Sequence, residues 1–266
     1  MQKEAKTKTM KKPIALVTGG SRGIGFGIAT ELAKNGFNLA INGVRDESAA
    51  KGNLKKLEKL GAEVIYLQGD ISNTSDRNFI LDGMKKGFGQ INLLVNNAGV
   101  APKNRNDVFE ITEEEYDYVV NVNERGTFFL TQIFAKWMAE LRGENPSSPM
   151  SIINVTSVSA TLASTLRMAY CMSKAGAAMM SKTMAVKMAE FDIPVYEIRP
   201  GFMDTDMIEK VREQYLELAK SGATLEPRIG KPEDVGKVVA ALATGQLPYS
   251  TGQVISIDGG LTLERM

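Results

Sequence analysis

The chain has 266 residues, 43% apolar and 24% charged, with a net charge of +1, so there is no electrostatic case for nucleic acid or an anionic membrane as partner. It has no histidine and a single cysteine, Cys171. That excludes Ser-His-Asp and Cys-His catalysis, the usual histidine-containing zinc sites, thiolate clusters and internal disulfides, and no metal is expected.

Apolar runs are too short to cross a bilayer. Residues 1–12, rich in Lys and Thr, fit neither a signal nor a transit peptide, so they are expected to form a disordered tail on a cytoplasmic protein. A single domain is expected over residues 13–266. Its first element is a short strand, Ile14 to Val17, followed at once by T-G-G-S-R-G-I-G from Thr18 to Gly25 and a helix from Phe26 to Asn35 that ends at Gly36. Strand, glycine loop and helix form the phosphate-binding turn of a dinucleotide fold. Gly19 permits the tight turn, Gly23 lets backbone approach a pyrophosphate, and Gly25 allows close packing of helix on strand. The helix N-terminus then faces the anion, with Ser21, Arg22 and Ile24 in the same loop.

The alternation continues with a strand from Phe37 to Ile41, a helix from Asp46 to Leu60, and a strand from Val64 to Leu67. After G-D-I-S (Gly69–Ser72) a helix runs to about Phe88, and a strand from Ile91 to Val95 ends in N-N-A-G (Asn96–Gly99). Continuous apolar strands alternating with helices predict a doubly wound parallel sheet with helices on both faces, which is the Rossmann class of α/β fold. Ligands in such sheets lie beyond the carboxyl ends of the strands, where the glycine loop, Asp70 and Asn96–Gly99 fall.

An NAD site usually carries a carboxylate at the end of strand two. Here I-N-G-V-R-D from Ile41 has no acid before Asp46. Arg22, with Arg45 as a second candidate, suits a 2′-phosphate, so NADP(H) is expected over NAD(H). The plain alternative makes both arginines solvated loop residues. Asn42 at this strand end, and Asn97, Ala98 and Gly99 at the next, are placed among the cofactor contacts, with Asn96 and Asn97 reading as backbone-holding residues at a strand end. Asp70 with Ile71 is expected to reach the adenine, unless Asp70 caps the following helix.

In N-V-N-E-R-G (Asn121–Gly126) a helix kinked near Gly126 would aim Asn123 inward, the alternative being a turn residue. Leu130, Phe134, Trp137 and Leu141 form an apolar helix stripe, either core or subunit interface, before a loop from Arg142 to Pro149. Beyond the strand Ile152–Val155 comes Ser157. Tyr170 and Lys174, four apart on a predicted helix, share one face. A free Tyr titrates near 10, and lowering that by roughly three units takes about 4 kcal/mol. A neighbouring cation in a partly dry pocket can supply energy of that order. The bland alternative is a surface pair worth a few tenths of a kcal/mol. Ser157, Tyr170 and Lys174 together suggest carbonyl reduction or alcohol oxidation.

Ile193 to Ile198 is the next strand, leading into R-P-G-F-M-D-T (Arg199–Thr205). Thr205 is expected to bond a nicotinamide amide or to cap the next helix. The charged helical stretch from Asp206 to about Arg228 is the candidate for a mobile lid. Pro232 opens a last helix, and Val254 to Ile257 is the last strand, followed by Asp258-Gly259-Gly260.

With these motifs assembled, the chain resembles the short-chain dehydrogenase/reductase family from about Pro13 to its end. The residues that carry the resemblance are Thr18–Gly25, Asp70, Asn96–Gly99, Asn123, Ser157, Tyr170–Lys174 and Pro200-Gly201 leading to Thr205. It implies a seven-stranded sheet and a homotetramer or dimer formed through the two long helices. It also implies Tyr170 as general acid/base, Lys174 lowering its pKa and bonding the nicotinamide ribose, Ser157 orienting the carbonyl, and Asn123 keeping a water link to Lys174. The pattern is most similar to bacterial 3-oxoacyl-acyl-carrier-protein reductases of fatty acid biosynthesis, which implies an acyl-thioester substrate and acyl carrier protein as partner. It departs from them in A-E-F-D (Ala189–Asp192), where a basic residue is usual, and at Tyr196 and Arg199. Sugar, polyol or steroid alcohols remain open as substrates. A non-catalytic nucleotide sensor would have been expected to lose Tyr170, Lys174 or Ser157.

Overall fold

The computed structural model describes residues 12–265. The expected tail lies outside them except for Lys12, whose Nζ donates to the Gly61 carbonyl at 2.7 Å. Seven strands, β1 (Ile14–Val17), β2 (Asn38–Gly43), β3 (Val64–Gln68), β4 (Leu93–Asn96), β5 (Ser151–Val155), β6 (Val195–Pro200) and β7 (Val254–Ile257), form one parallel sheet in the order β3-β2-β1-β4-β5-β6-β7. The helices are α1 (Gly23–Lys34), α2 (Glu47–Lys59), α3 (Thr74–Gly87), α4 (Glu113–Val120), α5 (Thr127–Glu144), α6 (Met168–Ala189), α7 (Arg212–Leu218) and α8 (Pro232–Ala243). No described helix is long and apolar enough to cross a membrane.

The strands read as unbroken apolar runs because both sheet faces are covered. In β1, Ala15 and Val17 join one core layer with Ile28 and Leu32 of α1, Leu54 and Leu57 of α2, and Val235 and Val239 of α8. Ile14 and Leu16 join the other, with Ile80 of α3, Leu130 and Phe134 of α5, and Met188 of α6. Each large apolar side chain so buried contributes about 1.5–3 kcal/mol relative to exposure. The stripe expected on α5 is core rather than interface: Leu130 and Phe134 are fully buried and Trp137 nearly so.

β2, β4 and β6 each start one or two residues later than the apolar pattern predicted and run on into polar ends. Ladder pairing, not hydrophobicity, sets those ends, as Gly43 still pairs Gln68 and Pro200 still pairs Ile257. Helix α1 begins at Gly23, three residues before the expected Phe26. Helix α5 persists to Glu144 because the Arg142 guanidinium donates to the carbonyls of Pro146, Ser148 and Asp192 at 2.7–2.8 Å and ties down the turn that follows. The expected kink is a π-helical turn, Asn121–Gly126, joining α4 to α5. A Cβ on Gly126 would stand 2.7 Å from the Ile71 carbonyl oxygen, so glycine alone lets the turn pass this close.

Order reverses at β1, with β2 on one side and β4 on the other, which opens a crevice at their carboxyl ends. One wall depends on α1 meeting α8 backbone to backbone: a Cβ on Gly236 would lie 2.5 Å from the Gly27 carbonyl oxygen. Gly236→Val is expected to cost about 1–3 kcal/mol by overpacking. In a chain of this size that lowers Tm by several degrees, at about 2–4 °C per kcal/mol; differential scanning calorimetry measures it.

Candidate active site

The crevice is a cleft of about 460 Å³ running from the glycine loop past the ends of β2 and β3 to Tyr170 and Lys174, a volume within the range of small-molecule sites. Gly19, Ser21, Arg22, Gly23, Ile24, Gly25, Asn42, Asp70, Ile71, Asn97, Ala98, Gly99, Tyr170, Lys174 and Thr205 all line it. Pro200 and Gly201 do not: Pro200 ends β6, and Gly201 packs against Asp258, where a Cβ would stand 2.8 Å from the Asp258 Cα.

Gly19 and Gly23 hold φ values of +62° and +52°, which L side chains rarely adopt. A Cβ on Gly25 would collide with the Gly19 carbonyl. Thr18 and Asn97 clamp this loop to β4. Thr18 Oγ1 accepts from the Asn97 and Ala98 backbone N–H at 2.9 and 3.0 Å, and Asn97 Nδ2 donates to the Thr18 carbonyl at 2.8 Å. The Asn97 amide thus holds the loop backbone while the residue lines the cleft. Asn42 behaves alike: it is 1% exposed, and its amide donates to the carbonyls of Leu67 and Gly69 at 2.9 and 3.0 Å.

Arg45 lines the mouth beside the end of β2. Arg22 also lies there, but its Nη1 pairs with Asp206 Oδ2 at 3.0 Å, both side chains being more than half exposed. Asp70 accepts from Ser72 N at 2.8 Å, while Asn73 is the residue that caps α3. Thr205 lines the cleft and precedes a 3₁₀ turn, Asp206–Val211, without capping it through its side chain. The charged segment expected to form a lid begins at this end, where Asp206 and Met207 line the cleft. Phe202 stacks on Tyr215 at 4.5 Å, and Arg212 forks onto Asp204 with two bonds of 2.8 Å.

Catalytic candidates converge at the end of β5. Lys174 is 6% exposed and its Nζ donates to the Val155 carbonyl at 3.3 Å. It lies 5.7 Å from the centre of the Tyr170 ring. Burial lowers Lys174 from its ordinary 10.5 to about 8, with Glu197 opposing the fall. Tyr170 departs from expectation. Burial pushes its phenol above the usual 10, and a hydrogen bond with the Ser157 hydroxyl and the nearby Arg167 charge only partly offset this. Proximity to Lys174 was expected to make the phenol acidic; in this site desolvation of the phenolate outweighs the neighbouring charges. Asn123, 2% exposed in the π turn, accepts from Val100 N at 2.8 Å and donates to the Val100 carbonyl and Ser173 Oγ. A Cβ on Gly99 would stand 3.2 Å from Asn123 Oδ1 and 3.5 Å from Lys174 Nζ, so both groups border one small space.

Several contributors escaped the sequence. Arg167 lies 5.4 Å from the Tyr170 ring centre; standing three residues before Tyr170 was its one signal. Thr156 lines the cleft and its hydroxyl donates to Glu197 at 2.7 Å; a carboxylate inside V-Y-E-I-R-P was the available clue.

This fold and site define a short-chain type of oxidoreductase, with a glycine-loop nucleotide cleft leading to a Ser-Tyr-Lys cluster. A family model described as enoyl-(acyl carrier protein) reductase matches residues 19–262. The chain is 35% identical to a 3-oxoacyl-[acyl-carrier-protein] reductase of Thermotoga maritima, covering 94% of this chain and 98% of that one. It is 31% identical to the Staphylococcus epidermidis enzyme of the same name, covering 93% and 98%. Among solved structures it is similar to a 3-oxoacyl-[acyl-carrier protein] reductase of Brucella melitensis in complex with NAD, at TM-score 0.92 and 38% identity over 97% of this chain and 100% of that one. The chain belongs to the short-chain dehydrogenase/reductase family and is an oxidoreductase acting on CH–OH and C=O groups.

The depressed pKa of Lys174 has a stability consequence. Below pH 8 the folded and unfolded chains both hold the proton, and the folded state bears the full desolvation cost. Between pH 8 and 10.5 the folded lysine releases its proton while the unfolded one keeps it, so this contribution to stability rises with pH. The whole effect is about 3 kcal/mol. Lys174→Met is accordingly expected to melt higher than the parent at pH 7, with the gap closing toward pH 10.5; nucleotide-free thermal unfolding across that range measures it.

Proposed function

We propose that the chain is an NADP(H)-preferring reductase of 3-oxoacyl thioesters, acyl carrier protein substrates included. The observation that carries this reading is the meeting of Tyr170 and Lys174 in the wall of the cleft, with the Ser157 hydroxyl hydrogen-bonded to the Tyr170 phenol. The left-handed glycines and the Cβ-free approach at Gly25 fit a pyrophosphate. Gly19–Gly25, Asp70, Ile71, Ala98, Gly99 and Thr205 would hold the nucleotide, with Lys174 at its ribose. Bound there, a nicotinamide nucleotide supplies the hydride.

The chain's own residues supply orientation and the proton. Ser157 orients the carbonyl oxygen through its hydroxyl. Tyr170, protonated at neutral pH and made a weaker acid by burial, donates its phenolic proton to that oxygen as general acid. Lys174 then stabilises the phenolate with its ammonium charge, in a dry site where that attraction is strongest. Asn123 braces the Val100 backbone and keeps the space beside Lys174 open.

Arg22 and Arg45 at the cleft mouth, with no acid at the end of β2, support NADP(H). The Brucella relative's NAD keeps NAD(H) as the alternative. Exposed apolar side chains on α5 and α6, namely Phe128, Met172, Met179 and Val186, support a homotetramer or dimer through those helices. The proposed compartment is the cytoplasm.

Oxidation of NADPH and NADH, compared across an acetoacetyl thioester, keto-sugars and ketosteroids, tests substrate and cofactor together. The expected result is thioester turnover with a lower KM for NADPH; turnover confined to keto-sugars or ketosteroids would reverse the substrate assignment. Tyr170→Phe is expected to reduce kcat at least a hundredfold, as loss of general acid catalysis does, while nucleotide affinity measured by fluorescence stays within about twofold. Sedimentation velocity should show a dimer or tetramer, and Met179→Glu with Val186→Glu should shift it toward monomer.

A further inference from the structure

Strand β6 carries a carboxylate that nothing in its apolar pattern accounts for. Glu197 is 2% exposed and pairs in register with Asn154 of β5. An ionised carboxylate is costly to bury unless it is paired and hydrogen-bonded, and Glu197 is both. Its Oε1 accepts from Thr156 Oγ1 and from Arg199 Nε, each at 2.7 Å, and its Oε2 accepts from Arg199 Nη2 at 3.2 Å. Thr156 is itself 4% exposed and lies between two working residues. On one side is Val155, whose carbonyl receives the Lys174 ammonium; on the other is Ser157. The bonds of the carboxylate thus end on the catalytic tip of β5 or on its own counter-ion.

We propose that Glu197 is a positioning residue of the carbonyl reduction: through Thr156 it fixes the end of β5 that holds Lys174 and Ser157, and its buried negative charge keeps the Lys174 ammonium cationic. The inference rests on the reading of Tyr170, Lys174 and Ser157 given above. Arg199, 15% exposed, sets how much of that charge Lys174 feels.

The other groups around Lys174 leave this role to Glu197. Its own helix brings Tyr170, with Arg167 beyond it. The π turn brings Asn123, and Glu124, which packs against Gly176. Strands β4 and β5 bring only amides and hydroxyls, Asn96, Asn154, Thr156 and Ser157, and the segment over the cleft brings Tyr215 toward Tyr170. At Lys174, Glu197 is the charge that opposes desolvation.

A structural brace and a charge partner predict different things. The reduction needs protonated Lys174, so kcat falls as pH rises through its pKa of about 8. Glu197→Gln keeps the volume and an acceptor for Thr156 but removes the charge, so the alkaline limb of kcat should move down by about half a pH unit or more. Arg199→Gln leaves Glu197 un-neutralised, so the limb should move up. KM should change less than kcat in both.

The same two shifts, read directly on the Lys174 13Cε resonance in nucleotide-free protein and assigned by its loss in Lys174→Met, do not depend on turnover. Opposite displacements support the role. Unmoved titrations accompanied only by a lower Tm, or displacements in the same direction, overturn it. Should Glu197→Gln fail to fold, an unmoved or lowered Lys174 titration in Arg199→Gln overturns it alone. If no carbonyl is turned over while the resonance still shifts both ways, the reaction assignment fails and the charge pairing stands.

Discussion

A lysine ammonium held almost out of water is the constraint around which the site is arranged. Lys174 sits on α6, and for its head to reach the Val155 carbonyl the helix must lie close against the sheet. Small buried residues on that face, Ala169, Ser173, Ala177, Ala178 and Ser181, allow the approach. The cost of desolvating the cation is offset by the Val155 carbonyl and the Glu197 charge, and only in part, which is why its pKa stays near 8. A buried charge destabilised in this way, at the wall of a cleft, marks a candidate functional site.

A polar seam through the middle of the molecule ties β4 and β5 to α5 and α6. Asn96 of β4 donates to Thr131 Oγ1 of α5 at 2.8 Å and to Asn154 Oδ1 of β5 at 2.7 Å, and Asn154 donates to Ser181 Oγ of α6 at 2.8 Å. Buried hydrogen-bonded networks of this kind tolerate little sliding, because a shift in register leaves costly unpaired groups. One strand over, Thr18 and Asn97 stitch the glycine loop to β4. The separation between the anion cradle and Tyr170 is therefore set by side-chain amides and hydroxyls bridging consecutive elements, with the apolar layers supplying most of the cohesion.

The segment that follows β6 is attached unevenly. Arg212 grips Asp204 through two charge-assisted bonds near the segment's base, the stronger kind of contact. Toward the cleft mouth, the Arg22–Asp206 pair is exposed on both sides, and such pairs are worth about 0–1 kcal/mol. The contact to the glycine loop is therefore the weaker of the two attachments.

The sequence alone determined the alternating architecture, the glycine loop and the Ser157, Tyr170 and Lys174 cluster, because these depend on local patterns: apolar runs, glycine spacing and two residues one helical turn apart. It placed the strands but missed their ends, since ladder pairing continues into polar residues such as Asn96 and Arg199. Side-chain partners were decided only by tertiary structure. Asn42, legible as a cofactor-side residue, spends its amide on neighbouring backbone, and Arg22 pairs with an aspartate 184 positions away. Glu197, Thr156 and Arg167 could be weighed only once β5, β6 and α6 were packed together. Tyr170 shows the reason most directly. Spacing reports which charge is near, but the pKa depends on how much water the fold removes, and desolvation is a property of the assembled core that no local pattern encodes.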